Sequence, residues 1–264
     1  MYKMLVTDFD GTLLDSDEAI PLSTMLEIDR IRKDGVLLTI ATGRVMKSVL
    51  EYNKDFPFID YIIACNGAYV YDVKRDKVIF KKNIMASIIK KVKKISSEYD
   101  LCFCTEEYWY LLKGSNTINR KLEDRERIIT DFDTFYAENK SNIYKIEILC
   151  DKKKDRDNIY SILEELDLKI LLNKILYTNK QYGIEIVMND ITKYSGIEKI
   201  CKLNKIDVES VIAIGDDLSD LSMIKNVGMG VAVSNAESSV KKVAKMKTSS
   251  NDTKGVEKVI RKLL

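Results

Sequence analysis

The chain has 264 residues, of which 45% are apolar, enough to build a sizeable core and to exclude a disordered protein. Its 43 basic and 41 acidic residues nearly cancel to a net charge of +2, so it carries no electrostatic footprint for nucleic acid or an anionic membrane. No stretch approaches the roughly 18 consecutive apolar residues of a membrane-spanning helix.

Histidine is absent from the sequence, and this narrows the chemistry more than any other feature of the composition. It excludes Ser-His-Asp and Cys-His catalysis, and it leaves proton transfer near neutral pH to carboxylates, Lys, Tyr or Cys. The five cysteines contain no Cys-x-x-Cys pair, and their odd number argues against a disulfide framework. Because the sequence also lacks a signal-peptide pattern, we expect reduced thiols in a cytoplasmic protein.

The first predicted element is a buried strand that begins near Met4 and ends at two aspartates. An apolar run bounded by a glycine turn is typical of a strand buried on both faces. Residues two apart point to the same side, so Asp8 and Asp10 can converge. Their repulsion of roughly 4 kcal/mol, at ~4 Å and an effective dielectric of ~20, would call for a cation or a proton. Aspartates also form turns before glycines such as Gly11, so this pattern alone leaves both interpretations open.

The next segments alternate between helical and strand patterns. Apolar residues at helical spacing predict a helix over 22–33, and apolar runs predict strands over 36–41 and 61–64. A further helix is expected to begin after Thr42-Gly43-Arg44. Strands that alternate with helices are typical of βαβ units around a parallel sheet.

The pattern changes at residue 83. Helices are predicted over 84–99 and 155–166, and strands over 101–105, 108–113, 142–150, 169–178 and 183–188. Residues 142–150 alternate between apolar and polar, which predicts a half-solvated strand of an antiparallel sheet. We therefore expect residues 83–187 to form a separate α+β domain, inserted between core segments 1–82 and 188–264.

The parallel-sheet pattern returns in the last part of the chain. Strands are predicted over 210–214 and 227–233, and helices over 191–204, 238–244 and 256–264, with another beginning at Leu221. The predicted fold class is therefore α/β, a Rossmann-like doubly wound parallel sheet with an inserted α+β domain.

Polar side chains follow four of the predicted core strands. In open α/β sheets, ligands bind outside the carboxyl ends of the strands. Each cluster alone could be turn chemistry, but four at one edge of a sheet predict a binding site. The clusters are Asp8 with Asp10, Thr42 with Gly43, Asn66 with Gly67, and residues 216–220.

These residues also resemble a known family. Their order resembles the four motifs of the haloacid dehalogenase superfamily of phosphohydrolases, and the inserted domain resembles the type IIB cap of its Cof-type phosphatases. The resemblance covers essentially the whole chain. The residues that carry it are Asp8-Phe9-Asp10-Gly11-Thr12, Thr42-Gly43-Arg44, Lys193, Gly215-Asp216-Asp217-Leu218-Ser219-Asp220 and the tail 228–236 with Gly255-Val256.

The resemblance implies an Mg²⁺-dependent phosphomonoesterase that acts on small phosphorylated metabolites. Asp8 would be the nucleophile that forms an aspartyl-phosphate, and Asp10 the general acid and base. Asp8, Asp216 and the Asp10 backbone carbonyl would hold Mg²⁺. The expected phosphate-binding groups are Phe9, Thr42, Gly43, Lys193 and Ser219. The expected supporting or substrate-binding residues are Arg44, Asn66, Gly67, Asp217 and Asp220.

Two positions depart from the family pattern. Ser219 stands where an Asn that contacts the phosphate is usual, and Tyr194 stands where a Gly usually follows the lysine. Serine reaches less far and offers a single hydroxyl donor, so we expect weakened phosphate binding with the chemistry retained. Arg44 would bind the leaving group or pair with a carboxylate of the cap. Two alternatives stay open, a phosphomutase and a catalytically weakened regulatory protein that binds phosphate.

Overall fold

The computed structural model describes residues 1–95, 97–115, 125–166, 168–175 and 181–264. The strands are β1 (Met4–Thr7), β2 (Leu37–Ala41), β3 (Tyr61–Ala64), β4 (Tyr69–Asp72), β5 (Lys77–Lys81), β6 (Asp100–Cys104), β7 (Trp109–Leu112), β8 (Glu126–Ile128), β9 (Lys145–Cys150), β10 (Leu168–Ile175), β11 (Gln181–Met188), β12 (Val211–Gly215), β13 (Met229–Ala232) and β14 (Met246–Lys247). The helices are α1 (Leu22–Lys33), α2 (Met46–Asp55), α3 (Ala86–Ile95), α4 (Phe132–Asn139), α5 (Lys153–Leu163), α6 (Lys193–Asn204), α7 (Leu221–Asn226), α8 (Ser238–Val243) and α9 (Gly255–Leu263). Among the helices of the described residues, none is long and apolar enough to cross a membrane.

The chain divides into two units. Unit 1 comprises residues 1–44, 49–80 and 192–264, and unit 2 comprises residues 45–48 and 81–191. Unit 1 contains an eight-stranded sheet in the order β14-β13-β12-β1-β2-β3-β4-β5. The neighbours from β14 through β3 are parallel, and β4 runs antiparallel to β3. This is the doubly wound α/β class that the sequence predicts.

Strand β1 lies at the point where the strand order reverses. From β1 the chain continues to β2 and β3 on one side, whereas β12, β13 and β14 extend the sheet on the other. Met4, Leu5 and Val6 are fully buried, as expected for a central strand covered on both faces. A ligand of such a sheet binds at this reversal, outside the carboxyl ends of β1 and β12.

Unit 2 contains a six-stranded sheet in the order β10-β11-β9-β6-β7-β8. Its neighbouring strands are antiparallel except for β7 and β8, which are parallel. Apolar side chains of β6, including Phe103, pack with aromatic residues of α4, including Phe135. The sheet therefore carries α4 on an apolar face.

The prediction for residues 142–150 was wrong in one respect. The strand belongs to an antiparallel sheet, as expected, but every residue of β9 is buried and the strand is not half-solvated. The polar side chains of this strand can be buried because they neutralise each other. The Nζ atom of Lys145 lies 2.5 Å from Oε1 of Glu147 and 3.1 Å from Oε1 of Glu185.

Other differences concern the ends of elements. Helix α3 begins at Ala86 and not at the predicted residue 84, where the backbone amide of Ile84 donates to the carbonyl of Ile143, 2.7 Å away. It ends at Ile95, short of the predicted residue 99. The predicted strand over 169–178 extends past the described residues, and its described part ends at Ile175. Five elements were not predicted: β4, β5, β8, β14 and α4.

Candidate active site

The carboxyl end of β1 positions Asp8. The backbone amide of Asp8 donates to the carbonyl of Ile214 on β12, 2.8 Å away, which ties the ends of the two strands together. Asp8 is 5% exposed. Its carboxyl group therefore lies in a desolvated position at the reversal point of the sheet.

The turn that follows β1 allows Asp216, the residue after β12, to lie close to Asp8. Gly11 has φ +70°, and a Cβ at this position would lie 2.7 Å from Oδ2 of Asp216. Glycine is therefore needed for both the backbone conformation and the close approach. The hydroxyl of Thr12 donates to Oδ1 of Asp216 over 2.6 Å and fixes the direction of that carboxylate. From the sequence Gly11 was interpreted only as a turn residue and Thr12 had no individual role, although both belong to the Asp-x-Asp-Gly-Thr run.

Asp220 organises the loop after β12 and is fully buried. Its Oδ2 accepts hydrogen bonds from the amides of Asp216 and Asp217 over 2.9 and 3.0 Å. Its Oδ1 accepts from Nζ of Lys193 over 2.6 Å. With both oxygens engaged, Asp220 links the loop to the lysine, and the supporting role that the resemblance implies for it stays a prediction.

Lys193 lies at the first position of α6, where Thr192 caps the helix by accepting from the amide of Ser195. Its Nζ bridges Oδ1 of Asp8 and Oδ1 of Asp220, at 2.6 Å from each. Burial opposes the ammonium charge, but the two carboxylates outweigh it and raise the pKa of Lys193 above its ordinary value. Lys193 therefore stays charged and touches the candidate nucleophile directly, even though Tyr194 replaces the usual glycine.

The turn after β3 supports the start of α6. Gly67 has φ +109°, and a Cβ there would lie 2.1 Å from the carbonyl oxygen of Thr192. Asn66 has a positive φ of 56°, and its backbone N–H donates to the carbonyl of Thr42 over 3.0 Å. These two residues therefore join the loops after β2 and β3 to the helix that carries Lys193.

Three carboxylates converge at this edge of the sheet. One oxygen from each of Asp8, Asp216 and Asp220 lies within 4.8 Å of the others. Burial and the neighbouring carboxylates raise the pKa of Asp8 well above its ordinary value, although Lys193 opposes the shift. Burial and Asp220 likewise raise the pKa of Asp216 to about 6, against hydrogen bonds from Thr12 and Asp8 that lower it. One buried ammonium does not compensate for three carboxylates, so the cluster favours a further cation.

The donor set fits a hard divalent cation. Both oxygens of Asp220 are engaged, one by the loop amides and one by Lys193, whereas Lys193 contacts Oδ1 of Asp8 and Thr12 contacts Oδ1 of Asp216. Their second oxygens are carboxylate ligands of the kind that Mg²⁺ prefers. The residues present therefore fit a hard divalent cation held by Asp8 and Asp216.

Arg44 contacts Asp10, a partner that the sequence did not suggest. Its Nη2 lies 2.5 Å from Oδ1 of Asp10, and its Nε lies 2.9 Å from Oδ2. The guanidinium also lies over the rings of Phe9 and Tyr52, at 5.4 and 5.6 Å from their centroids. This forked contact fixes the orientation of the Asp10 carboxylate.

The remaining predicted residues lie on the same loops. Thr42 is 1% exposed, and its hydroxyl accepts from the amide of Arg44 over 3.0 Å, with Gly43 between them. Asp217 accepts from the amide of Leu218 over 2.6 Å and begins the short turn Leu218–Asp220. Ser219 lies within this turn and is partly exposed. The loops after β1, β2, β3 and β12 thus carry all the predicted site residues except Lys193, which begins α6.

A sequence model of the family described as haloacid dehalogenase-like hydrolase matches residues 5–260. The chain belongs to this family. The match spans both units, so it includes the inserted segment as well as the doubly wound sheet.

The relatives of this hydrolase include a curated protein from Bacillus subtilis strain 168, named 5-amino-6-(5-phospho-D-ribitylamino)uracil phosphatase YitU. The two are 25% identical over 264 residues, which cover 98% of this chain and 96% of that protein. Two solved structures share the fold. A haloacid dehalogenase-like hydrolase from B. subtilis has a TM-score of 0.86 at 22% identity and covers 99% of this chain and 100% of its own. The subclass IIB sugar phosphatase BT4131 has a TM-score of 0.82 at 22% identity, with 98% of each chain covered.

Proposed function

We propose that this hydrolase is an Mg²⁺-dependent phosphomonoesterase that acts on small phosphorylated metabolites of the sugar phosphate or phosphorylated cofactor class. The observation that carries the proposal is the position of Asp8. Its carboxyl group meets a buried ammonium from Lys193 and lies within 4.8 Å of the Asp216 carboxylate. A carboxylate nucleophile between a lysine and a divalent-cation site is suited to attack an anionic phosphate.

The first half of the proposed reaction transfers the phosphoryl group to the enzyme. An oxygen of Asp8 forms a bond to phosphorus as the bond between phosphorus and the ester oxygen breaks. Asp10 donates its proton to that oxygen, and the alcohol leaves. Arg44 contacts both oxygens of Asp10 in the structure and would hold the carboxyl group in position for this transfer.

The second half regenerates the enzyme. Asp10, now ionised, takes a proton from a water molecule whose oxygen attacks phosphorus. The bond between Asp8 and phosphorus breaks, inorganic phosphate leaves, and Asp10 has regained the proton that it donated. Each turnover thus consumes one water molecule and restores both aspartates.

The phosphate is held by donors on several loops. Lys193 is charged, and its Nζ lies 2.6 Å from Oδ1 of Asp8. It can therefore donate hydrogen bonds to the phosphoryl oxygens and stabilise the negative charge that builds in the transition state. We assign further phosphate contacts to the hydroxyls of Thr42 and Ser219 and to the amides of Phe9 and Gly43. A magnesium ion on Asp8 and Asp216, with the Asp10 carbonyl, would screen the repulsion between the anionic nucleophile and the anionic substrate.

We assign unit 2 to the cap, with residues 83–187 as its inserted segment. The relatives named above support the substrate class, since one is named for a phosphorylated ribityl compound and another as a sugar phosphatase. All five cysteines lie among the described residues, are buried and form no disulfide, which supports a location in the reducing cytoplasm.

The test is a phosphate-release screen over a library of phosphorylated metabolites. The expected result is release of inorganic phosphate that requires Mg²⁺, is abolished by a chelator and is lost in the Asp8→Asn variant. A requirement for a bisphosphate activator, with the phosphoryl group returned to the substrate, would instead identify a phosphomutase. Turnover of no phosphoester would contradict the proposal and favour a regulatory protein.

A further inference from the structure

A second group of metal-ligating side chains lies in unit 2, on the face of the sheet opposite to its apolar face. Cys102 and Cys104 are two residues apart on β6, so their thiols point to the same face. Glu147 on β9 is directly opposite Cys102 in the antiparallel register. One ligand atom from each of the three lies within 4.8 Å of the others. Two strands thus bring two thiols and a carboxylate together.

We propose that these three residues bind a thiophilic divalent cation of the Zn²⁺ class. Cys thiolates with a carboxylate are a recognised zinc donor combination, and tetrahedral coordination at ~2.3 Å to sulfur and ~2.1 Å to oxygen puts donor atoms roughly 3.5–3.8 Å apart. Sγ of Cys104 lies 3.9 Å from Oε1 of Glu147, close to that spacing. Binding releases the two thiol protons to the solvent and leaves the fourth coordination position open.

All three candidate ligands are buried, as expected for a preformed metal site. The exposed fractions of Cys102, Cys104 and Glu147 are 2%, 0% and 6%. A buried carboxylate needs a partner of opposite charge, and in the structure Lys145 supplies it, with Nζ 2.5 Å from Oε1 of Glu147. Lys145 also contacts Glu185, so its ammonium keeps a carboxylate partner when Glu147 turns toward an ion.

Trp109 provides an independent indication that a group is bound here. It is directly opposite Cys104 in the register of β6 and β7, and it therefore lies on the same face. Trp109 is 7% exposed, and its indole Nε1 is a buried donor that finds no hydrogen-bond acceptor among the described residues. A buried donor without an acceptor is costly, and a water molecule on the fourth position of the ion would supply one.

The test is a Co²⁺ titration of the purified, metal-free, fully reduced protein, followed by absorption spectroscopy. Cobalt bound to thiolates gives charge-transfer absorption in the near ultraviolet and strong visible bands when it is four-coordinate, whereas cobalt on the carboxylates of the active site gives neither. We expect these bands to saturate at one ion per chain and to disappear when Zn²⁺ is added. Absence of thiolate charge-transfer absorption in the unaltered protein would by itself overturn the proposal.

Variants locate the site. Cys102→Ala and Cys104→Ala should each weaken cobalt binding by more than the ~10–100-fold that loss of an outer-shell partner costs. Cys150→Ala is the matched control, because Cys150 is equally buried on β9 but points to the opposite face from Glu147. Bands that persist in the Cys102→Ala, Cys104→Ala double variant, or that are lost in Cys150→Ala alone, would contradict the assignment. The readout does not involve catalysis, so it is independent of the proposed phosphatase activity.

Discussion

Replacing Lys193 by methionine should destabilise the protein and inactivate it. Methionine keeps much of the volume of the lysine side chain but removes the ammonium that lies 2.6 Å from both Asp8 and Asp220. These carboxylates would remain buried without their cation, and breaking a buried ion pair from one side costs about 3–5 kcal/mol. Part of the loss should be recovered with Mg²⁺, which restores positive charge beside Asp8.

The measurement is the free energy of unfolding from urea denaturation near neutral pH, with and without Mg²⁺. Lys202→Met is the matched control, because Lys202 is exposed on the same helix and its loss should change stability by no more than about 0.5 kcal/mol. A loss of less than about 1 kcal/mol in Lys193→Met, or phosphoester hydrolysis by this variant at the original rate, would contradict the role of Lys193.

Further predictions concern the other residues of the site. Ser219→Asn should raise kcat/KM by at least about tenfold, because an amide donor reaches the phosphate and a hydrogen bond to a charged group contributes roughly 1.5–3 kcal/mol. Steady-state kinetics with no gain would count against the expected weakness of Ser219. Arg44→Lys should lower kcat more than it raises KM, since a lysine cannot hold both oxygens of Asp10; an unchanged kcat would show that Arg44 does not position this residue. Thr12→Val removes the 2.6 Å hydrogen bond to Asp216 and should weaken Mg²⁺ binding by about 10–100-fold in calorimetry, whereas equal affinity would contradict the role of Thr12. The folded-state pKa of Asp216 is raised to about 6, so the proton stabilises the metal-free fold below that pH and this stabilisation is lost as the pH rises through 6. Mg²⁺ should therefore raise Tm more above pH 6 than below it, and an Asp216→Asn variant that kept the same pH dependence would disprove this explanation.

Local sequence patterns were sufficient to predict the core of the fold. The apolar run at Met4–Thr7 ends in aspartates, and strands of this kind are recognised without knowledge of the tertiary structure. The same holds for α1 and β3, whose observed bounds match the predicted ones. Elements without a continuous apolar run or a clear period, such as α4 and the short β14, gave no comparable signal.

Pairing between distant side chains could not be read from the sequence. Arg44 and Asp10 are 34 positions apart, and their contact depends on how the loops after β1 and β2 meet. The polar residues of β9 suggested a solvated face, because the sequence does not show that Lys145 meets Glu185 on the neighbouring strand. Thr12 was overlooked for the same reason, since its partner Asp216 comes 204 positions later in the chain.

The most direct test of the central claim is to trap the phosphoryl group on Asp8. A single turnover would be stopped with acid, and the peptide that contains Asp8 analysed by mass spectrometry. We expect the added mass of one phosphoryl group on Asp8 and none in Asp8→Asn. The Asp10→Asn variant should accumulate more of the phosphorylated peptide if breakdown is slowed more than formation. Phosphate release by the Asp8→Asn variant at the original rate, or a phosphoryl group trapped on a different residue, would contradict it.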